Sequence, residues 1–146
     1  MYKHLLIAFD GSELSEKALR QGLELAKAVG ARVTALFVTM PWAAIAVGEV
    51  AVMFPPEEYE TNAAKAANEH LKRAVEIAKA EGVPCVTLHT SETQPYKAIV
   101  GTAASKGCDL IVMGSHGRRG IAGLLLGSVA MKTLTHAHIP VLVYRE

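Results

Sequence analysis

The residues with the clearest chemical meaning lie in a glycine-rich stretch from Gly114 to Ser128. It contains five glycines, at positions 114, 117, 120, 123 and 127. Glycine adopts backbone angles that other residues avoid and lets a ligand approach the main chain. Successive backbone N–H groups in such a loop can form a nest for an anion, and a helix that starts at Ser128 would add its own free N–H groups. The stretch therefore predicts a phosphate site without naming the ligand.

Two common nucleotide motifs do not fit this sequence. A P-loop needs a lysine before its serine or threonine, and no lysine precedes Ser128. The dinucleotide motif needs G-x-G-x-x-G in the first turn, where this chain has Asp10, Gly11 and Ser12. The predicted phosphate site is therefore of another kind.

Alternating strands and helices are predicted on both sides of this stretch. Short apolar or β-branched runs predict strands at 5–9, 32–38, 84–89, 110–113 and 140–144. Helical spacing of small and apolar residues predicts helices at 14–29, 57–81, 95–105 and 128–135. Ser12 suits a helix N-cap, and glycines at 30, 82 and 107 suit helix C-termini.

This alternation predicts a single α/β domain over residues 1–146. Right-handed crossovers give a doubly wound, five-stranded parallel sheet in the order 3-2-1-4-5, with helices on both faces. In such sheets ligands bind beyond the carboxyl ends of the strands, where the direction of winding reverses. That point lies between the first and fourth strands, which end near Asp10 and Gly114.

The glycine stretch also resembles the signature of the universal stress protein family, G-x-x-G-(nine residues)-G-[ST]. Gly114, Gly117, Gly127 and Ser128 meet it with the spacing intact. The resemblance extends over the whole chain and includes the aspartate after the first strand and the final apolar strand. It implies an ATP-binding member of the family that takes ATP, AMP or ADP. Any Mg²⁺ would be held mainly by the phosphates and not by protein side chains.

The resemblance also implies which residues bind the nucleotide. Gly117, Gly127, Ser128 and Val129 would hold the phosphates, and the backbone of Val38 would face the adenine. The full implied set is Ala8, Phe9, Asp10, Val38, Met113, Gly114, His116, Gly117, Arg118, Gly127, Ser128 and Val129.

Several of these residues also have plainer interpretations. A carboxylate beside phosphates would repel them, so Asp10 is expected to face the ribose hydroxyls. Asp10 could instead only cap the first helix or bridge its turn. Arg118 could reach the phosphates or remain solvated, and His116 could be an exposed loop residue.

The bulk composition narrows the class of protein. A formal net charge of +1 gives no field that would collect a polyanion, so nucleic acid is not an expected partner. Cys85 and Cys108 lie beside apolar runs and are expected to be buried thiols. His136 and His138 have no further ligands at metal spacing and are expected on the surface.

With no signal peptide or membrane span predicted, we expect a cytoplasmic protein without a membrane partner.

An apolar connection from Met40 to Pro56 follows the second strand. It is longer than most loops and too apolar for a disordered segment. It could fold over the nucleotide, pack on its own domain or cover a second subunit. The sequence favours a lid or a subunit contact without deciding between them.

Three functions fit the sequence. The first is an ATP-binding regulator in the stress response, whose partner protein is unknown, and this is the preferred one. The others are a slow ATP hydrolase and an interaction module that binds no nucleotide. Fast catalysis is not expected, because no clear base is present to position water. A homodimer, or a larger oligomer built on it, is expected through the edge strand formed by Val141, Leu142, Val143 and Tyr144.

Overall fold

The computed structural model describes residues 1–48, 53, 55–117 and 125–146. Their strands form a five-stranded parallel sheet in the order β3-β2-β1-β4-β5, as predicted. The strands are β1 His4–Ala8, β2 Arg32–Thr39, β3 Cys85–Ser91, β4 Leu110–Gly114 and β5 Val141–Tyr144.

Helices cover both faces of this sheet. Within the described residues they are α1 Glu13–Val29, α2 Trp42–Ile45, α3 Pro56–Glu81, α4 Pro95–Lys106 and α5 Ser128–His136. Four of them match the predicted helices to within a residue or two at either end. The short α2 was not predicted, since four residues carry too little periodicity to detect. None of the helices in the described part of the chain has the length and apolarity needed to cross a membrane.

The helix ends follow the predicted capping residues. Ser12 has an extended backbone, and its hydroxyl accepts a hydrogen bond from the Ser15 N–H at 3.2 Å. The caps at Gly30, Gly82 and Gly107 have φ angles of 72°, 72° and 69°, which are left-handed and favour glycine. These local signals explain why the helix boundaries could be predicted closely.

Two apolar clusters pack on opposite faces of the sheet. Leu5 and Ile7 of β1 belong to the cluster under α1 and α3, whereas Leu6 belongs to the cluster under α4 and α5. Successive strand side chains point to opposite faces, so a strand covered on both sides needs an unbroken apolar run. Cys108 is buried in the second cluster, as expected, whereas Cys85 packs against the first and is only half-buried.

The carboxyl ends of β1 and β4 lie side by side at the centre of the sheet, where Ile7 pairs with Val112. The residue after β1 also bonds to β2, and the residue after β4 also bonds to β5. The N–H of Phe9 donates to the Leu36 carbonyl at 2.9 Å, and the N–H of Ser115 donates to the Tyr144 carbonyl at 2.8 Å. The sheet therefore brings Asp10 and Gly114 to one edge, the switch point at which doubly wound sheets bind ligands.

Candidate functional site

Asp10 lies in a tight turn between β1 and α1. One carboxylate oxygen, Oδ1, accepts a hydrogen bond from the Ser12 N–H at 2.9 Å, and the Asp10 N–H donates to the Ser15 hydroxyl at 3.3 Å. Gly11, between them, has a φ of 79°, which favours glycine. Asp10 therefore bridges the turn, which was one of the two interpretations of this residue.

The second oxygen of Asp10 faces the glycine-rich loop. A β-carbon built on Gly117 would lie only 2.9 Å from Asp10 Oδ2. The two residues are far apart in sequence and meet only because β1 and β4 are neighbours in the sheet. Bridging the turn and facing the candidate site are therefore compatible roles for one carboxylate.

Gly127 closes the other end of the loop. Its N–H donates to the Ser115 carbonyl at 2.7 Å, and a β-carbon on it would lie 3.0 Å from that same oxygen. Gly114, Gly117 and Gly127 all lack a positive φ, so the expectation that special backbone angles require these glycines is wrong at these three positions. At Gly127 a side chain would meet the Ser115 backbone, which favours glycine, whereas at Gly117 it would meet the movable carboxylate of Asp10.

Helix α5 begins at the end of this loop, at Ser128. Its cap, Gly127, provides no side-chain hydrogen bond, and the first turn carries no acidic residue. The first N–H groups of a helix have no partner inside the helix and carry the positive end of its dipole. Ser128 and Val129 lie in this first turn, where an anion is favoured, and their assignment as phosphate-binding residues stays a prediction.

Ser115 and His116 form a pair that the sequence did not single out. Ser115 is buried, and its hydroxyl lies 3.1 Å from Nδ1 of His116. His116 is half-buried, so the alternative of an exposed loop residue is wrong. Its Nε2 is buried and has no hydrogen-bond partner among the described residues. Nothing in the sequence around position 115 signals this contact, because it depends on how the loop folds back toward Gly127.

The apolar residues of the predicted set divide between the two faces of the sheet. Ala8, Val38, Met113 and Val129 all pack in the cluster under α4 and α5 and are brought together there. Phe9 belongs instead to the opposite cluster, where its ring meets Phe37 edge to face at 6.5 Å. The ring of Phe9 is therefore a core group, and the expectation that it lines the nucleotide fails for its side chain.

The segment after β2 is held by the first half of α3. The Tyr59 hydroxyl donates to the Met40 carbonyl and the Trp42 N–H donates to Glu60 Oε1, both at 2.8 Å. The described start of the apolar connection thus packs on its own domain. The rest of the connection, at 49–52 and 54, lies outside the described residues, and so does Arg118.

A polar pair joins the ends of β2 and β3 near this segment. Thr39 Oγ1 lies 2.8 Å from His89 Nε2. Burial lowers the pKa of His89, and the nearby Glu60 acts in the opposite direction. Neither residue was among those predicted, because the strand pattern marks them only as strand residues.

Possible metal ligands are dispersed over the part of the chain that the structure describes. Within it, no group of three or more His, Cys, Asp and Glu side chains is arranged to hold a metal ion. His136, near the end of α5, stacks on Tyr96 of α4 with ring centroids 4.8 Å apart. It is therefore an aromatic packing partner between two helices.

Comparisons with known proteins agree with the fold. The family model described as "Universal stress protein family" matches residues 1–145. Universal stress protein MJ0531 of Methanocaldococcus jannaschii is 34% identical over 151 residues, which cover 100% of this chain and 84% of that protein.

Two solved structures are also similar. Hypothetical protein MJ0577 superposes with a TM-score of 0.85 and 27% identity, covering 100% of this chain and 97% of that one. A universal stress protein in complex with cAMP superposes with a TM-score of 0.72 and 26% identity, covering 99% and 97%. The family model matches nearly the whole chain, and MJ0531 is similar over the full length of this chain. This chain therefore belongs to the universal stress protein family.

Proposed function

We propose that this protein binds ATP at the carboxyl ends of β1 and β4 and acts in the stress response as a regulator that changes shape or partner with nucleotide state. AMP and ADP fit the same proposal as alternative occupants. The observation that carries it is the close approach of the Asp10 carboxylate to Gly117, in the loop that leads to the first turn of α5. These groups could serve the sugar and the phosphates of one ligand.

The roles of the groups follow from their charges. The N–H groups at Ser128 and Val129 attract phosphate oxygens. The carboxylate of Asp10 repels them and suits ribose hydroxyls, which donate hydrogen bonds. A ligand with an anionic end and a hydroxyl-bearing end therefore fits in one orientation only, with its phosphates toward α5 and its sugar toward β1.

The apolar residues at the strand ends support an adenine nucleotide. Ala8 and Val38 are half-buried and Met113 is buried in the same cluster, which provides apolar surface beside the proposed sugar position. The similar universal stress protein solved with cAMP carries an adenine nucleotide, which supports the same class of ligand here.

Mg²⁺ would enter with the nucleotide. The Asp10 carboxylate already accepts the Ser12 N–H through Oδ1, and its position beside Gly117 suits a sugar better than a metal. Hard cations prefer oxygen ligands, and Mg²⁺ in nucleotide sites is commonly bound through the substrate phosphates. We therefore assign Mg²⁺ to the phosphates.

The first experiment is direct detection of the ligand. Protein purified without added nucleotide is denatured and the released small molecules are identified by mass spectrometry. Calorimetry then compares ATP, ADP, AMP and cAMP. We expect an adenine nucleotide to be released and ATP to bind. Failure of all four to bind would contradict the proposal.

Gly117→Ala tests the site. The added β-carbon would displace the Asp10 carboxylate, a side chain that can move, so the fold should survive. We expect at least a tenfold loss of ATP affinity, about 1.4 kcal/mol. The matched control is Gly101→Ala in α4, where a β-carbon meets no atom within 4 Å. Equal affinities for the two variants would show that the loop is not the site.

Catalysis is tested separately, since a regulator and a hydrolase share the same binding site. Phosphoryl transfer needs a positioned nucleophile and a cation on the developing charge. We expect turnover with saturating Mg²⁺ and ATP well below about 1 s⁻¹, the low end of ordinary enzyme rates. Faster phosphate release that is lost in Asp10→Asn would favour the hydrolase.

A further inference from the structure

His70 of α3 presses against the turn that carries Asp10. A β-carbon built on Gly11 would lie 2.4 Å from Nδ1 and 2.6 Å from Cε1 of His70, so the imidazole fills the volume that a side chain at Gly11 would need. The ring also stacks on Phe37 of β2, with centroids 5.5 Å apart and planes within 10°. His70 is therefore held against the sheet and against Gly11 together.

Gly11 lies between the two partners of the hydrogen bond that orients the Asp10 carboxylate. It lies between Asp10, which provides Oδ1, and Ser12, which donates its N–H to that oxygen at 2.9 Å. Asp10 Oδ2 faces Gly117 across the crevice. A shift of Gly11 would change the direction of both oxygens, because its backbone angles set the path of the chain from one residue to the other.

The helix that carries His70 is well anchored. His70 lies three residues after Ala67 and four before Ala74, both fully buried, so it continues the buried face of α3. The first half of the same helix holds Met40 and Trp42 after β2 through Tyr59 and Glu60. Helix α3 is thus a rigid support that reaches the carboxyl ends of two adjacent strands.

We propose that His70 is a positioning residue of the nucleotide site, which holds Gly11 so that the Asp10 carboxylate stays directed at the sugar position. It acts through Gly11 and does not touch the nucleotide. The inference rests on the proposed function, since it assigns a support to that same site. A flat ring meets both requirements, because one face stacks on Phe37 while the ring still fits closely against the Gly11 backbone.

The test measures ATP affinity and unfolding free energy for a small set of variants of the full chain. His70→Ala removes the ring, and His70→Phe keeps a flat ring that can stack on Phe37. We expect His70→Ala to weaken ATP binding about fivefold to tenfold and His70→Phe to remain within about twofold of the unmutated protein. Ile77→Ala, a buried change on the same helix farther along the chain, is the control for lost packing. It should lower stability and leave ATP affinity unchanged.

A double-mutant cycle with Asp10→Asn separates positioning from general packing. If His70 orients the carboxylate, Asp10→Asn should cost clearly less affinity in the His70→Ala background than in the unmutated protein. Additive effects, or unchanged ATP affinity in His70→Ala, would overturn the role of His70 while leaving the nucleotide site in place. No ATP binding by the unmutated protein would overturn the proposed function and this inference with it.

Discussion

His4 is the clearest case of a titratable side chain that the fold keeps away from water. It lies at the start of β1, where its Nε2 is 2.8 Å from Thr34 Oγ1 and its Nδ1 has no hydrogen-bond partner among the described residues. Burial is the main cause that lowers its pKa, and the Arg32 cation adds to it. The Lys106 backbone and Asp109 act in the opposite direction but do not outweigh these two. The folded structure thus disfavours the protonated form of His4.

The lowered pKa of His4 predicts a pH-dependent stability. The pKa of His4 in the folded chain lies below the ordinary value of about 6.5. Well above that pH, His4 is therefore unprotonated in both the folded and the unfolded chain. As pH falls below it, the unfolded chain binds a proton that the folded chain resists, and stability is lost until the folded pKa is reached. We expect the urea-unfolding free energy to be lower at pH 5.5 than at pH 7.5.

The variant His4→Gln should reduce this dependence on pH. His89, whose pKa burial also lowers, should contribute its own share, which His89→Gln removes independently. A slope of stability against pH that is unchanged in His4→Gln would contradict the assignment.

At the scale of elements, the N-terminus of α5 combines two effects that can be separated. In the proposed site the first N–H groups of α5 bind phosphate. A carboxylate placed in the same turn would interact with the helix dipole instead. Ser128→Asp should therefore leave the folded state as stable as before or more stable, by about 0.3–1 kcal/mol. It should also lower ATP affinity at least tenfold, since the new charge repels the phosphates.

The matched control for this prediction lies in the first turn of α4. Lys97 is exposed there, and Lys97→Glu gives a similar gain at the N-terminus of a helix that follows β3 and not the loop after β4. Thermal unfolding and calorimetry of both variants check the prediction. Affinity that falls equally in the two variants would indicate a general effect of charge and not a phosphate site at α5.

At the scale of the whole molecule, β5 is an edge strand of the sheet. The Pro140 and Tyr144 carbonyls accept hydrogen bonds from Ile111 in β4 and from Ser115 just after it. The backbone groups of even-numbered residues in β5 therefore point toward β4. Those of Val141 and Val143 alternate with them and point outward. Leu142 is 44% exposed, which leaves apolar surface beside this open edge.

We propose that two copies pair through these outward groups in antiparallel fashion, which would close a homodimer. Val143→Pro removes an outward N–H and should shift the protein toward a monomer. Leu142→Pro removes an inward N–H and should instead destabilise the domain, because it breaks the pairing with β4. Light scattering and denaturant unfolding distinguish the two results. A monomer at all concentrations for the unmutated protein would exclude this dimer.

The sequence by itself determined the strands, the four longer helices, their order and the family. Strand ends and helix caps depend on neighbours within a few residues, such as Ser12 with Ser15, and can be read from a short window. The signature formed by Gly114, Gly117, Gly127 and Ser128 lies within one connection, so its spacing is visible without a fold. The central crevice followed from the strand order, which handedness rules restrict to few choices.

Only the tertiary structure decided how distant residues meet. The contact between His70 and Gly11 depends on the height and rotation of α3 over the sheet, which no local pattern encodes. The same holds for Asp10 against Gly117, and for the burial of the Phe9 ring in the core. Such contacts are set by the packing of whole elements, because a rotation of one helix by a fraction of a turn would give each of these residues a different neighbour.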